Sequence, residues 1–410
     1  MNELAIHGGA PVRTTPMVTT GPRFGEEELQ ELKEALDQQT LFYWHGAKVK
    51  AFRAQFAELY GVKHCHMVTS GTAALHVATA TLGVGPGDEV ITSPMTDQGT
   101  VIAILAQGGV PLFADIDPHT YNVTPESVEA QITGKAKAVI VVHLAGNAAD
   151  MDGILSVAHK RGVKVIEDCA QSYLCWYKGK LAGTLGDIGC FSLNDFKHIS
   201  AGDAGMVLTN DDALAARAQL CLDKGYARDG QGRRPPFLAM NYRPSELHGA
   251  VALAQLRKLP AIVEKRNMLG DLLTASLKGV PGIHPHKVLD GCKSSYWFYM
   301  GRMDPKTLNV PRDEFVAAVA AEGVPVSGGY IGKMVYEYPV LADHNAYENC
   351  SYPWDGVYGR KVSYGPGMCP AAEEVEATSW RCPITEHMIE QDVRDIAAAI
   401  KKVAECFAAM

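Results

Sequence analysis

The sequence lacks any run of about eighteen uninterrupted apolar residues, so it offers no candidate for a membrane-spanning helix. It also lacks an excess of basic residues, since 38 lysines and arginines against 46 aspartates and glutamates give a net charge of −8. This balance counts against nucleic acid or an anionic membrane as the main partner. The N-terminal residues show no cationic flank followed by an apolar block, the pattern of a secretion signal. We therefore expect an intracellular, cytoplasmic protein.

Cysteine pairs and metal-binding spacings are missing as well. Ten cysteines in 410 residues are too dilute for a disulfide framework, and none forms a Cys-x-x-Cys pair. The fourteen histidines show no His-x-x-x-His spacing, and His284 with His286 has no third ligand nearby in the sequence. The sequence predicts reduced cysteines and no structural metal.

The chain does contain an alternation of short β-branched runs and longer amphipathic stretches, beginning near residue 88. This alternation is typical of parallel strands joined by crossover helices. The predicted strands cover residues 89–92, 110–114, 137–142 and 163–168. Each is short and apolar enough to be covered on both faces. The sequence therefore predicts an α/β fold with a mostly parallel central sheet covered by helices.

Helical periodicity occupies much of the remaining chain. The predicted helices cover residues 26–38, 49–60, 71–82, 125–132, 148–161, 245–259, 261–277, 312–322 and 385–408, with a further strand at 295–302. We expect an N-terminal arm at residues 1–20, a large domain at 21–264 and a smaller α+β C-terminal domain at 265–410. The boundary would lie in the long helix that follows Pro260.

Two acidic residues stand directly after a predicted strand. Glu167 and Asp168 end the apolar run that begins at Val163, and so lie at the carboxyl end of that strand. Open α/β sheets bind ligands at this edge. A carboxylate there can pair with the cationic ring nitrogen of pyridoxal phosphate, which lets the ring absorb electrons from a carbanion. Either acid could instead cap the following turn.

A second candidate lies at the start of a predicted helix. Ser70, Gly71 and Thr72 put two hydroxyls and a glycine where free amide hydrogens and the positive end of the helix dipole favour a phosphate. Glycine also lets the backbone approach such a group closely. A simple N-cap explains Ser70 or Thr72 at least as well, so the triplet alone decides nothing.

The third candidate is Lys197, a lone lysine in the glycine-, serine- and aromatic-rich stretch 186–205. A lysine held among such groups can be desolvated enough to act as an amine nucleophile and form a Schiff base. Taken alone, a solvated surface position is the more usual one for a lysine. A phosphate cradle, a strand-end carboxylate and a downstream lysine, taken together and in this order, are what a pyridoxal cofactor requires.

On these segments the chain resembles the DegT/DnrJ/EryC1/StrS family of fold-type I aminotransferases, which use pyridoxal phosphate to aminate keto-sugars and keto-cyclitols. The resemblance covers nearly the whole chain. Its most specific parts are residues 70–75, 83–91, 167–172 and 186–210 and the triplet Asn241-Tyr242-Arg243. The opening residues 8–13 are similar to the branch of the family that acts on cyclitols.

The resemblance implies roles for three residues that would face the ring of the cofactor. Lys197 would form the Schiff base, and Asp168 would pair with the pyridine nitrogen. Gln171 would lie near the phenolic oxygen. The cofactor implied by the resemblance is pyridoxal 5'-phosphate.

The resemblance also implies a phosphate site shared between two subunits. Gly71, Thr72 and Ser192 would hold the phosphate, and Asn241 would reach the phosphate of the neighbouring subunit, because the family builds its active site across a homodimer interface. We therefore expect a homodimer with a shared active site. Without the resemblance, residues 241–243 would be a lead-in to the helix predicted from residue 245.

One position departs from the family pattern within residues 94–100. Where relatives carry an aromatic that stacks on the cofactor ring, this chain has Asp97. Asp97 is retained among the cofactor-binding candidates. Its carboxylate could instead touch substrate hydroxyls, or the local alignment could be shifted. A milder departure is Gly202-Asp203-Ala204-Gly205 in place of the common Gly-Glu-Gly-Gly.

The expected reaction is the transfer of an amino group from glutamate or glutamine to a keto-sugar or keto-cyclitol. One alternative is a pyridoxamine phosphate-dependent sugar dehydratase of the same fold, although relatives of that type lack the lysine that Lys197 supplies here. The other is a non-catalytic pyridoxal phosphate-binding regulator, for which Asp97 is the only support.

The sequence leaves the acceptor open. Tyr330 and residues 331–339 could line its pocket, as could Tyr43, Trp44 and His45, although such aromatics are as often packing residues. The basic cluster Arg228, Arg233 and Arg234 could serve a diphosphate-linked acceptor or be a solvated loop.

Overall fold

The computed structural model describes residues 3–230, 234–357 and 359–409. Its strands are β1 (His64–Val68), β2 (Glu89–Thr92), β3 (Val110–Phe113), β4 (Ala136–Val142), β5 (Lys164–Asp168), β6 (Trp176–Tyr177), β7 (Lys180–Leu181), β8 (Ile188–Ser192), β9 (Gly205–Thr209), β10 (Ile283–His284), β11 (Tyr299–Met303), β12 (Ser327–Gly328) and β13 (Ser379–Cys382). Its α-helices are α1 (Glu26–Asp37), α2 (Lys48–Tyr60), α3 (Gly71–Thr81), α4 (Gln98–Leu105), α5 (Pro125–Gln131), α6 (Met151–Lys160), α7 (Asp212–Leu222), α8 (Glu246–Leu277), α9 (Pro305–Leu308), α10 (Arg312–Ala321), α11 (Pro339–Ala342), α12 (Pro370–Thr378) and α13 (Glu390–Ala408).

A seven-stranded sheet in the order β1-β9-β8-β5-β4-β2-β3 forms the centre of the described chain. The pairs from β8 through β5, β4 and β2 to β3 are parallel. Strand β9 is antiparallel to both of its neighbours, so β1 runs in the same direction as β8. Strands β2, β3, β8 and β9 are buried along their whole length. The prediction of a mostly parallel central sheet covered by helices is confirmed.

The four strands predicted from β-branched runs correspond to β2, β3, β4 and β5. Local capping chemistry also sets the helix starts. Ser70 accepts a hydrogen bond from the amide of Ala73 at the start of α3, and Thr124 accepts one from the amide of Ser127 at the start of α5. These starts are readable from the sequence because each depends on residues within one turn.

Helix α8 is longer than either of the two helices expected in its place. It spans 32 residues with Pro260 inside it, so the segments expected at 245–259 and 261–277 are one helix. It joins two apolar clusters, since Val263 packs with the residues of the central sheet and Leu269 with those around β11 and β13. The domain boundary expected near residue 265 falls within this helix and stays a prediction.

The C-terminal part contains an antiparallel sheet in the order β10-β11-β13-β12, with α10 and α13 contributing to the same apolar cluster. Strand β11 begins at Tyr299, four residues later than expected. The physical reason is that the amides of Ser295 and Trp297 donate to the carbonyls of Gly146 and Ala145, at 2.9 and 3.0 Å, and so have left the strand. These two bonds tie the start of the C-terminal part to the central sheet.

The expected N-terminal arm is fastened by a buried carboxylate. Glu322 accepts from the amides of Ala5 and Val12 at 2.9 and 3.0 Å, and Lys402 pairs with it at 2.8 Å. Residues 1 and 2 of this arm lie outside the described residues, as do residues 358 and 410 of the C-terminal part. Within the described ranges, no helix combines the length and the apolar character needed to cross a membrane.

Candidate active site

The carboxyl ends of the parallel strands meet at one edge of the central sheet. Asp168 is the last residue of β5 and Ser192 the last of β8, and these strands are neighbours. Helix α3 begins three residues after β1, which runs in the same direction as β8. The topology therefore brings Asp168, Ser192 and the N-terminus of α3 to the edge at which such sheets bind ligands.

Asp168 is a buried carboxylate with only 6% of its surface exposed. Its Oδ1 accepts from the amide of Ala170 at 3.1 Å, and its Oδ2 accepts from the Oγ1 of Thr100 at 3.0 Å. Burial raises the pKa of Asp168, whereas these two bonds and the charge of Lys197 lower it. A carboxylate held in this way gains stability from a cationic partner, such as a protonated ring nitrogen.

Glu167 has a different environment from Asp168, because successive residues of a strand point to opposite faces. Its carboxylate is fully buried and accepts from the amides of Gly183, Leu185 and Gly186 at 2.7 to 2.8 Å. The sequence did not decide which of the two acids is available to a ligand. Glu167 is occupied by the backbone amides of the turn before β8, whereas Asp168 lies at the ligand-binding edge of the sheet.

Glu167 also belongs to a group with His143 and Cys169, whose potential ligand atoms lie within 4.8 Å of one another. The Nδ1 of His143 accepts from the amide of Ala149 at 3.1 Å, so its Nε2 carries the proton donated to Glu167 at 2.9 Å. These bonds already occupy the histidine and the carboxylate. The group is accounted for as a hydrogen-bonded support of β5, and the prediction of no structural metal stays a prediction.

Lys197 follows β8 in a turn. Its Nζ lies 4.0 Å from the centre of the Trp297 ring, over the aromatic face. Burial lowers the pKa of Lys197, and the negative charges of Asp168 and Asp97 oppose that effect. A lowered pKa increases the fraction of unprotonated amine, which is the form that attacks a carbonyl carbon and later carries a proton.

The backbone around Lys197 is held from three directions. Arg23 donates to the carbonyls of Asp195, Lys197 and His198, the latter two at 2.6 and 3.2 Å. The indole Nε1 of Trp297 donates to the carbonyl of Phe196 at 2.7 Å. The imidazole Nε2 of His198 donates to the carbonyl of Ser295 at 2.9 Å. The turn is therefore fixed by residues far away in the sequence.

The N-terminus of α3 has the features of an anion site. The amides of Gly71 and Thr72 have no hydrogen-bond acceptor among the residues that the structure describes, whereas the Ser70 hydroxyl accepts from Ala73 at 3.0 Å. A Cβ built on Gly71 would lie 2.6 Å from the Cβ of Ser192, so only glycine allows this approach. Two free amides and the Ser192 hydroxyl thus lie together, and they fit a phosphate.

Asp97 is the N-cap of α4, a helix that the sequence analysis did not predict. Its Oδ1 accepts from the amide of Gly99 at 2.8 Å, and its side chain is exposed. A Cβ built on Gly99 would lie 2.6 Å from the Oγ1 of Thr72, so α4 touches the start of α3. One turn further along α4, Thr100 donates to Asp168. Asp97 therefore begins a helix whose first turn contacts both the phosphate cradle and the Asp168 carboxylate.

Gln171 is buried on the same edge and is fixed at both ends of its amide. Its Oε1 accepts from the amide of Ala145 at 2.8 Å, and its Nε2 donates to the hydroxyl of Tyr330 at 2.7 Å. Ala145 has a φ of 57°, a left-handed conformation that turns its amide toward Gln171. The ring of Tyr330 stacks on Phe298 with centres 5.5 Å apart, which closes this side of the site.

Comparison with known proteins identifies the family. The sequence model of the DegT/DnrJ/EryC1/StrS aminotransferase family matches residues 22–401. The chain belongs to this family. It is a pyridoxal phosphate-dependent aminotransferase, and the resemblance inferred from residues 70–75, 167–172 and 186–210 is confirmed.

Among curated relatives, a protein of Streptoalloteichus tenebrarius provisionally named L-glutamine:3-amino-2,3-dideoxy-scyllo-inosose aminotransferase is 34% identical over 90% of this chain and 88% of its own. The spore coat polysaccharide biosynthesis protein SpsC of Bacillus subtilis is 32% identical over 94% of this chain and 96% of its own. Among solved structures, the aminotransferase of Psychrobacter cryohalolentis has a TM-score of 0.83 at 27% identity, covering 96% of this chain and 100% of that one.

Asn241, which the sequence analysis expects to reach the phosphate of a neighbouring subunit, is exposed. Its backbone bridges to Asp223, and its Oδ1 accepts from the Nε of Arg243 at 2.7 Å. Arg228 donates to the buried carboxylate of Asp223 through two nitrogens, at 2.6 and 2.9 Å. Arg228 is thus committed to holding the segment that carries Asn241. Arg233 of the basic cluster lies outside the described residues.

Of the aromatic residues suggested for the acceptor pocket, Tyr330 lies at the site, whereas Tyr43 lies beside Asp223. Tyr330 lies at the site through its contact with Gln171. Tyr43 is buried, and its hydroxyl donates a hydrogen bond to Asp223. Burial, and to a smaller extent this hydrogen bond, raises the pKa of Tyr43 to about 12. The ring of Trp44 lies 6.1 Å from that of Tyr43, whereas His45 is exposed and its ring lies 5.4 Å from that of Phe42.

Sequence reasoning missed three residues of this family member's site: Arg23, Thr100 and Trp297. For Thr100 a signal existed, because Asp97 followed by a glycine and an apolar run is typical of a capped helix start, with Thr100 one turn inside. Arg23 and Trp297 had no local signal. Arg23 lies 174 positions from Lys197 and donates to its backbone carbonyl. Trp297 lies 100 positions away and contacts the amine through the face of its ring.

Proposed function

We propose that this aminotransferase moves an amino group from glutamate or glutamine to the ketone of a keto-sugar or keto-cyclitol. The observation that carries the proposal is the partly buried Lys197, whose amine lies over the Trp297 ring and has a lowered pKa, at the sheet edge that also holds the buried carboxylate of Asp168. When bound, pyridoxal phosphate supplies a cationic ring that takes up the electrons left when a proton leaves the substrate carbon.

The residues at the edge fit this group. Lys197 would hold the cofactor through its amine and, once displaced by the donor, would move a proton to and from the substrate carbon. Asp168 would keep the ring nitrogen protonated, which offsets the cost of its own burial. Gln171, fixed by Ala145 and Tyr330, would lie near the phenolic oxygen.

The phosphate would be held at the N-terminus of α3. The free amides of Gly71 and Thr72 and the hydroxyl of Ser192 support this placement. Asn241 would complete the site in a homodimer by reaching the phosphate of the neighbouring subunit. Its exposure, on a segment fastened by Asp223, supports that role.

The class of acceptor is supported by the names of the relatives. Besides the scyllo-inosose aminotransferase, the GDP-perosamine synthase of Caulobacter vibrioides is 35% identical over 74% of this chain and 81% of its own. The first of these names contains a cyclitol and the second a nucleotide-linked sugar. We therefore propose both a cyclitol and a nucleotide-linked sugar as acceptor types for this chain, and the test below includes both.

Replacing Lys197 with Ala tests the proposal. The purified wild-type holoenzyme should absorb in the visible region and should convert to the pyridoxamine spectrum when glutamate or glutamine is added. Lys197→Ala should lose the visible absorbance and at least about 10²-fold in turnover, because both cofactor attachment and proton transfer are removed. The measurement is a spectral titration followed by an assay with a panel of keto-sugars and inosose.

Lys265→Ala is the matched control, since Lys265 lies on α8 and no hydrogen bond or ion pair joins it to the lysine turn among the described residues. It should keep both colour and turnover. A Lys197→Ala protein that retained both would overturn the assignment. A wild-type protein that bound the cofactor but showed no spectral change with either donor would be a silent binder, and the proposed reaction would be wrong.

A further inference from the structure

Asp97 is a charged group at the site that the proposed reaction does not use. Its side chain is exposed, and its Oδ1 accepts from the amide of Gly99 at 2.8 Å as the cap of α4. Its Oδ2 has no hydrogen-bond partner among the residues that the structure describes. One oxygen therefore anchors the carboxylate, and the other is free to meet a substrate.

The position of Asp97 is fixed by contacts on both sides of it. Gly99 packs against the Oγ1 of Thr72, where the phosphate would lie, and Thr100 donates to Asp168, where the ring nitrogen would lie. The charge of Asp97 also acts on Lys197 and on Tyr330. Asp97 thus caps a helix whose first turn contacts both parts of the site, and its exposed carboxylate lies close enough to Lys197 for the two charges to interact.

The charges at this rim do not cancel once the cofactor is in place. The Lys197 amine would be engaged with the cofactor, and Asp168 would be paired with the ring nitrogen. The carboxylate of Asp97 would remain as a negative charge without a local partner. Two negative charges a few ångströms apart repel each other, whereas a neutral amide can donate a hydrogen bond to a carboxylate.

We propose that Asp97 is a specificity-determining residue that selects the amino donor by charge, accepting glutamine and disfavouring glutamate. This inference rests on the proposed function. The two donors share the α-amino and α-carboxylate groups and differ only at the far end, which is a neutral carboxamide in glutamine and a carboxylate in glutamate. The free Oδ2 of Asp97 can accept from the carboxamide and repels the carboxylate.

The test compares the two donors in the half-reaction that they drive alone, so no acceptor is needed. Wild-type holoenzyme is mixed with glutamine or glutamate, and the rate of conversion to the pyridoxamine spectrum is followed at increasing donor concentration. The wild type should prefer glutamine by about 10- to 50-fold in kcat/KM, the effect of one unfavourable charge contact at intermediate dielectric. Asp97→Asn should reduce that preference to about threefold or less.

Asn keeps the helix cap, because its side-chain oxygen can accept from the amide of Gly99 as that of Asp97 does. Asp97→Ser is a second neutral capping variant and should give the same loss of discrimination. The matched control is Asp211→Asn, which removes the same charge from the exposed N-cap of α7. This control should leave the preference for glutamine unchanged.

A binding measurement supplies a readout that does not depend on turnover. Glutarate and its monoamide, glutaramate, cannot donate an amino group but carry the same difference in charge at one end. Isothermal titration of the wild type should give tighter binding of the monoamide, and Asp97→Asn should bring the two dissociation constants together. An unchanged difference would overturn the proposal.

Failure of this inference is distinct from failure of the proposed function. If the wild type converts with both donors equally well, or if Asp97→Asn keeps the full preference, the role of Asp97 is wrong and the aminotransferase reaction stands. If neither donor converts the wild type, the proposed donor class itself is wrong.

Discussion

At the scale of single residues, the site brings the buried carboxylate of Asp168 near the partly buried amine of Lys197. Burial lowers the pKa of Lys197 and raises that of Asp168, and each group partly offsets the cost of the other. Thr100 supplies one of the two hydrogen bonds that Asp168 receives within the described chain. We infer that Thr100 is a positioning residue, which keeps Asp168 ionised and aimed at the ring nitrogen.

Thr100→Val tests this role, since valine has nearly the same shape and no hydroxyl. Loss of the donor disfavours the charged form of Asp168, so its pKa should rise further and the acid limb of the kcat profile should move to higher pH. Cofactor affinity should fall by about tenfold, the value of one hydrogen bond to a charged group. Both are measured on the holoenzyme, by a pH–rate profile and by cofactor titration.

Thr100→Ser retains the hydroxyl and should restore the wild-type pH profile. If Thr100→Val lowered stability but left the acid limb where it is, Thr100 would be a packing residue only.

At the scale of elements, one carboxylate on α12 shapes the wall of the site. Glu376 accepts from the backbone amides of Tyr330 and Gly332 at 2.9 and 2.8 Å, and from that of Ile331 at 3.3 Å. Gly332 has a φ of 77°, which turns its amide back toward the same carboxylate. The segment that bears Tyr330 is therefore held by a helix 46 residues further along the chain.

Glu376→Gln should loosen this segment, because the amide side chain has one acceptor oxygen and an NH₂ group that faces backbone donors. The expected cost is about 1–3 kcal/mol, that of a buried donor left unsatisfied. Hydrogen exchange of the amides of residues 330–332 should speed up, and the KM for the substrates should rise more than kcat falls. Hydrogen exchange with mass spectrometry and steady-state kinetics measure these effects.

Glu374→Gln, on the same helix but with an exposed side chain paired to Arg302 at 3.3 Å, is the control and should leave exchange at 330–332 unchanged. Equal exchange in both variants would contradict the role of Glu376.

At the scale of the whole molecule, buried histidines make stability depend on pH. Burial lowers the pKa of His66 to about 3 and that of His286 to about 4, from an ordinary value of 6.5, and lowers that of His198 well below it. These imidazoles stay neutral in the folded protein and bind protons when it unfolds. Their contribution to the free energy of unfolding is therefore present above about pH 6.5 and is lost as the pH falls.

His286→Phe isolates one part of this dependence. His286 lies among Tyr121, Tyr296 and Tyr299, with ring centres 5.2 to 5.9 Å away, so phenylalanine keeps the aromatic packing. Between pH 6 and 4.5 the variant should lose less stability than the wild type, by about 1.4 kcal/mol per pH unit at most. Urea denaturation at several pH values measures this, with the exposed His7→Gln as control. Parallel curves for the wild type and His286→Phe would contradict the prediction.

The strands β2 to β5 and the caps at Ser70 and Thr124 were predictable because their causes are local: β-branched runs and capping residues act within one turn or one strand. Strand β8 was not predicted, since its residues Ile188–Ser192 include a glycine and few β-branched residues. Gly189 is there for a tertiary reason. A Cβ at that position would lie 2.1 Å from the carbonyl oxygen of Gly183.

By itself, the sequence determined the family, the order of the strand-end acid, the helix-start triplet and the lysine, and the chemistry that these residue types can perform. The tertiary structure alone decided that Asp168 faces the edge while Glu167 is consumed by backbone amides, that Trp297 covers Lys197, and that Thr100 reaches Asp168. The physical reason is that these contacts join residues far apart in the chain. Their formation depends on how whole elements pack, and no local periodicity or propensity reports it.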